Sequence, residues 1–147
     1  MTIYWGQSSN SCTNNTAAAL EILVLSGNPA TPTSLQMTRY AFDPCTTTRQ
    51  PSNHLTSVNQ GTYKNVPGNT YIYSTPTITV TQGLIARIIP LYAPADIGIQ
   101  NSGGFPAQGT VIQSTGTSED TEREVVTYRY NPLLPSELFQ YNFFAPQ

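Results

Sequence analysis

Residues 19–45 read ALEILVLSGNPATPTSLQMTRYAFDPC, two short runs of large side chains on either side of a Gly/Asn/Pro/Thr connection. Length alone admits a short helix or a buried strand for ALEILVL (19–25), and the β-branched pair Ile22 and Val24 favours the strand. Gln36–Phe42 alternates, with Met37, Arg39 and Ala41 on one face and Thr38, Tyr40 and Phe42 on the other, until Asp43-Pro44 stops it. Residues 27–34 suit a hairpin connection. If the two runs pair, Cys45 falls just beyond the second strand and Cys12 a few residues before the first.

Outward from this pair the strand signal continues. After residue 70 come TYIYSTPTITVT, LIARIIPLY, DIGIQ, GTVIQSTG and REVVTYRY, each bounded by turn formers. In the last, Val126, Tyr128 and Tyr130 are expected to face a core, with Val125, Thr127 and Arg129 facing water. Pro76 and Pro90 lack the amide a ladder needs and belong at edges, bulges or bends. Residues 46–69 are polar, carry two prolines and two glycines, and read as a long surface loop with one short strand around 61–64. Such a loop is a natural contact surface. The fold expected for residues 1–147 is mainly β, a single antiparallel sheet or sandwich domain of about seven strands with little helix.

Charged residues make up 10% of the 147-residue chain, against about 25% in an average soluble domain. Thr, Ser, Asn and Gln fill the deficit, beside 12 prolines and 9 tyrosines, a composition that lines sheets and turns. It points to an extracellular surface. The formal net charge is −2, and the six basic residues, Arg39, Arg49, Lys64, Arg87, Arg123 and Arg129, are scattered. A nucleic-acid groove needs clustered cations to release phosphate counterions, so no nucleic-acid partner is expected. No apolar run approaches the roughly 20 residues that cross a bilayer, and no signal peptide is recognisable. The sequence is therefore expected to be a mature or engineered fragment, with Met1 added and a targeting segment removed upstream.

Cys12 and Cys45 read as a disulfide or as two small buried thiols. Their spacing fits no zinc pattern. The disulfide is the expectation, and closing a loop of about 33 residues would remove unfolded-state entropy worth roughly 3–4 kcal/mol.

Catalytic patterns are lacking. The single histidine, His54, stands in the polar loop with no Gly-x-Ser-x-Gly elbow in the chain, and reads as a surface side chain. Acid–base pairs could come only from Glu21, Asp43, Asp96, Glu119, Asp120, Glu122, Glu124 and Glu137. Four of these cluster in SEDTERE, which reads as a solvated turn between strands; calcium binding is the functional alternative, without the D-x-D-x-D-G spacing. Phosphate loops are absent, Gly103-Gly104 being a turn pair. Trp5 with Tyr4 could stack on sugars, although aromatics are equally ordinary sheet residues. No catalytic residue, metal or cofactor is expected.

The end of the chain, PLLPSELFQYNFF (132–144), is rich in large apolar groups. Either it folds back over the sheet, or Leu138, Phe139, Tyr141, Phe143 and Phe144 supply an intersubunit surface.

Four features in order resemble the extracellular β domain of minor type IV pilins of the PilX kind, especially those of small-genome candidate-phylum bacteria. They are CTNNTAAALEILVL (12–25) with MTRYAFDPC (37–45), LIARIIPLYAPADIGI (84–99), FPAQGTVIQSTG (105–116) and REVVTYRYNPLLPSELFQYNFF (123–144); the resemblance they carry covers about two thirds of the chain. The resemblance implies a non-catalytic subunit acting in pilus assembly, attachment or twitching motility at the cell surface, partnered by other pilin subunits or a cell-surface ligand. Such proteins begin with an apolar helix that anchors them in the membrane. It does not occur here, so the resemblance implies a soluble truncation whose membrane contact would run only through that missing helix. A secreted carbohydrate- or peptide-binding module and a viral fibre domain share the composition and are the alternative readings.

Overall fold

In the four residues of β1 (Thr2–Trp5), Ile3 and Trp5 turn to one side of the strand and Tyr4 to the other, as a two-residue period requires. Ile3 and Trp5 are fully buried. The same period in β2 (Ala19–Ser26) sends Leu20, Ile22 and Val24 into the same core, where Phe42 from the end of β3 (Gln36–Phe42) joins them. Burying Leu20 and Ile22 stabilises the fold by about 1.5–3 kcal/mol each. The computed structural model describes residues 1–63, 68–105, 107, 109–118 and 121–130.

Beyond β3 the described chain forms one helical turn, α1 (Gln50–Asn53), then β4 (Asn59–Tyr63), β5 (Tyr71–Ser74), β6 (Gly83–Leu91), β7 (Ile97–Gln100), β8 (Gly109–Ser118) and β9 (Thr121–Tyr130). The protein is mainly β, with nine strands among the described residues and no helix as long as seven residues. Two strands go beyond the expected seven. β1 is too short to show a pattern, and β4 is the short strand foreseen inside the polar loop, one turn of helix preceding it.

Contacts divide the chain into two units, Met1–Gly103 and Gly104–Gln147. In the first, a four-stranded sheet ordered β4-β5-β1-β7 and a three-stranded sheet ordered β3-β2-β6 face one core, a sandwich-like arrangement. β2 and β3 form the expected hairpin, registered from Leu20 opposite Phe42 to Ser26 opposite Gln36. The other edge of β2 pairs with β6 from Ala19 opposite Leu91 onward. Pro90 is tolerated because β6 is an edge strand, with one row of amides outside the ladder.

TYIYSTPTITVT is a ladder strand only over Tyr71–Ser74. Pro76 interrupts it, yet the chain stays beside β1: the Thr75 amide donates to the Ile3 carbonyl at 2.9 Å and the Ile78 amide to the Met1 carbonyl at 2.8 Å. β1 also pairs with β7, from Thr2 opposite Gln100 to Trp5 opposite Ile97. Within the first unit β1 thus lies between strands from beyond residue 70, with β5 on one side and β7 on the other.

The second unit contains the two-stranded sheet β8–β9, ten residues a side, in unbroken register from Gly109 opposite Tyr130 to Ser118 opposite Thr121. Here the structure corrects the sequence reading. Val126 and Tyr128, expected to face a core, are 42% and 62% exposed, and Val125 on the opposite face is 61% exposed. The alternation is real, but among the described residues of this unit no second layer covers either face.

Candidate interaction surface

The Cys12 and Cys45 sulfurs are 2.03 Å apart, closing a bridge across 33 positions. Beside it lies a polar node centred on Asp43. Asp43 is fully buried, and its carboxylate accepts four hydrogen bonds. The Cys45 amide donates to Oδ1 at 2.9 Å, an Asx-type turn two residues long. Arg49 grips both oxygens, Nη2 to Oδ1 at 2.8 Å and Nε to Oδ2 at 3.2 Å, and Asn53 Nδ2 donates to Oδ2 at 2.7 Å. Arg49 Nη2 also donates to the Ala17 carbonyl at 2.7 Å and reaches Cys45 Sγ at 2.9 Å. Its Nη1 is buried without a hydrogen-bond partner among the described residues, and the Tyr92 ring lies 4.4 Å from the guanidinium carbon. The ring's negative face takes the place of that missing acceptor. α1 exists to deliver Arg49 and Asn53 to Asp43. With four hydrogen bonds engaging both carboxylate oxygens, the node is a clasp.

The remaining described candidates of the first unit are dispersed. His54 is exposed, caps α1 and has a φ of 54°. Glu21 pairs with Arg39 at 2.9 Å on the β2–β3 surface. Asp96 accepts from Gln7 Nε2 at 3.0 Å across a hollow of about 300 Å³ lined by Gly6, Gln7, Asn10, Pro94, Ala95 and Asp96. Asn10 there accepts from the Gln7 amide, so these polar groups satisfy one another. Trp5 is buried, its Nε1 donating to the Ala18 carbonyl at 2.8 Å, and offers no face to a sugar. Among the described residues no three His, Cys, Asp or Glu side chains gather to hold a metal, and no helix is long and apolar enough to cross a membrane. Burial pushes the Tyr73 hydroxyl above the usual phenol range; Arg49 pulls it down and Asp43 pushes it up.

No family model, no curated protein and no solved structure matches the chain. Function therefore rests on the molecule itself, and its most unusual surface is the β8–β9 ribbon. Every described side chain over residues 111–118 and 122–129 is exposed, among them Val111, Ile112, Val125, Val126 and Tyr128. An isolated two-stranded hairpin is marginal in water, and exposed aliphatics on both faces mark a surface made to be covered. Leu138, Phe139, Tyr141, Phe143 and Phe144, the intersubunit residues proposed from sequence, lie outside the described residues, as do Glu119, Asp120 and Glu137. The ribbon was missed as a surface because its alternation was read as implying one buried face. Val125, on the face expected to meet water, was the signal that both faces carry apolar side chains.

Proposed function

We propose that the protein is a non-catalytic extracellular structural or adhesive subunit, of the kind represented by minor type IV pilins, acting in filament assembly or surface attachment. The observation that carries this reading is the β8–β9 ribbon, which exposes Val111, Val126 and Tyr128 on one face and Ile112 and Val125 on the other. The other unit is a disulfide-bonded sandwich in which the Asp43 carboxylate is fully engaged, which suits a structural body. A small disulfide-bonded β domain is consistent with an oxidising, extracellular setting. The ordered resemblance to PilX-type pilins supports the finer assignment to a pilus. Immunogold labelling of intact cells that carry the gene tests it. Label along surface filaments is the expected result; label confined to the cytoplasm refutes it.

A further inference from the structure

The two faces of the β8–β9 ribbon carry opposite charge. Strand alternation puts Glu122, Glu124, Val126 and Tyr128 on one face, with Gln113 and Val111 opposite Val126 and Tyr128. Arg123, Val125, Thr127 and Arg129 occupy the other face, with Ile112 opposite Thr127. Gln113 Nε2 donates to Glu124, holding that carboxylate on the acidic face. Arg123 lies opposite Gly116, which has no side chain to answer it, and Arg129 lies opposite Thr110. Among the described residues neither arginine has an ion-pair partner.

We propose that the occupant of each face is the opposite face of a second copy of this chain. The inference rests on the structural-subunit reading and specifies its contact. Laid tip over tip, the basic face of one ribbon meets the acidic face of the next in matching order. Arg123 falls between Glu122 and Glu124, Val125 lies against Val126, and Arg129 lies over the Tyr128 ring in a cation–π contact. Stacked sheets sit about 10 Å apart and rotate by about 30°. Each copy uses one face to receive and the other to present, so the contact is heterologous. The array stays open and does not close at a dimer.

The test uses the full chain, its disulfide intact, in sedimentation velocity from micromolar to millimolar concentration. The wild-type mass is expected to rise with concentration past twice the monomer without a plateau, and to fall back in about 1 M salt, where the Debye length is about 3 Å. Arg123→Glu/Arg129→Glu makes both faces acidic, and Glu122→Arg/Glu124→Arg makes both basic; each variant alone is expected to be monomeric throughout. An equimolar mixture of the two is expected to regain the wild-type rise, because acidic faces then meet basic ones, a recovery that unfolded variants could not give. A wild-type chain that stays monomeric, a plateau at the dimer, variants that associate like wild type, or a mixture that does not recover would each overturn the stacking. None of these results touches the surface labelling that tests the subunit reading, so the two failures are distinguishable.

Discussion

Replacing Asp43 by Asn tests whether the buried clasp holds the sandwich together. The substitution preserves shape and leaves one oxygen, which can still accept from the Cys45 amide and Arg49 Nη2. The new NH₂ group then points at Arg49 Nε and Asn53 Nδ2, donors that lie 3.2 Å and 2.7 Å from the native oxygen. Flipping the amide only moves the conflict to the other two donors. The guanidinium, 10% exposed, is also left without its counter-charge. Removing one partner of a buried pair costs about 3–5 kcal/mol, a large share of the 5–15 kcal/mol that holds a typical domain together. The surface pair Arg39–Glu21, 47% and 14% exposed, supplies the control: Glu21→Gln should cost under about 1 kcal/mol. Urea unfolding at neutral pH with the disulfide intact measures both. Trp5, the only tryptophan, is buried in the sandwich core and reports that unit. A loss below about 1 kcal/mol for Asp43→Asn would refute the clasp. The same reasoning expects Asp43→Leu/Arg49→Met to cost less than Asp43→Asn, since no buried charge is left alone.

Reduction of Cys12–Cys45 should lower the stability of the sandwich by about 4 kcal/mol, and the loss should reach β5, β6 and β7 together with β1 and β2, because these strands interleave; amide exchange that rises only before residue 46 would contradict this. Tyr73 should make the sandwich sensitive to alkali. Its folded-state hydroxyl ionises above the ordinary phenol range, so stability is fully present below about pH 10 and falls as pH rises beyond it, where the unfolded chain loses the proton first. Tyr73→Phe should flatten that decline in urea midpoints, and an unchanged slope would count against burial as its cause. Gly6→Ala should destabilise by about 2 kcal/mol or more: Gly6 has φ +76° and an added Cβ would run into the Tyr73 ring, which packs 5.8 Å from Trp5. Thermal melts followed by Trp5 fluorescence check it.

The β class, the β2–β3 hairpin and the positions of β6 to β9 were legible because period-two patterns and turn formers are local signals. β1 was not, because four residues show no period, and its burial is decided by strands about 70 and 95 positions away. The clasp was half legible. Asp43-Pro44-Cys45 announces a turn, whereas the approach of Arg49, Asn53 and Tyr92 depends on α1 and on the end of β6. The ribbon shows the limit of pattern reading. Alternation tells which side chains share a face and says nothing of what covers that face. Here it suggested a core beneath Val126 and Tyr128, where the structure leaves both open.

Whether the β8–β9 ribbon is held by a neighbouring copy is tested most directly by hydrogen exchange of its ladder amides at two protein concentrations. If the ribbon is covered by another chain, those of Gly109–Ser118 and Thr121–Tyr130 exchange slowly at millimolar concentration and quickly at micromolar. The amides of β2 stay slow at both, because their partners lie in the same chain. Ribbon amides that exchange equally slowly at both concentrations would contradict the account, for the ribbon would then be stable without a partner.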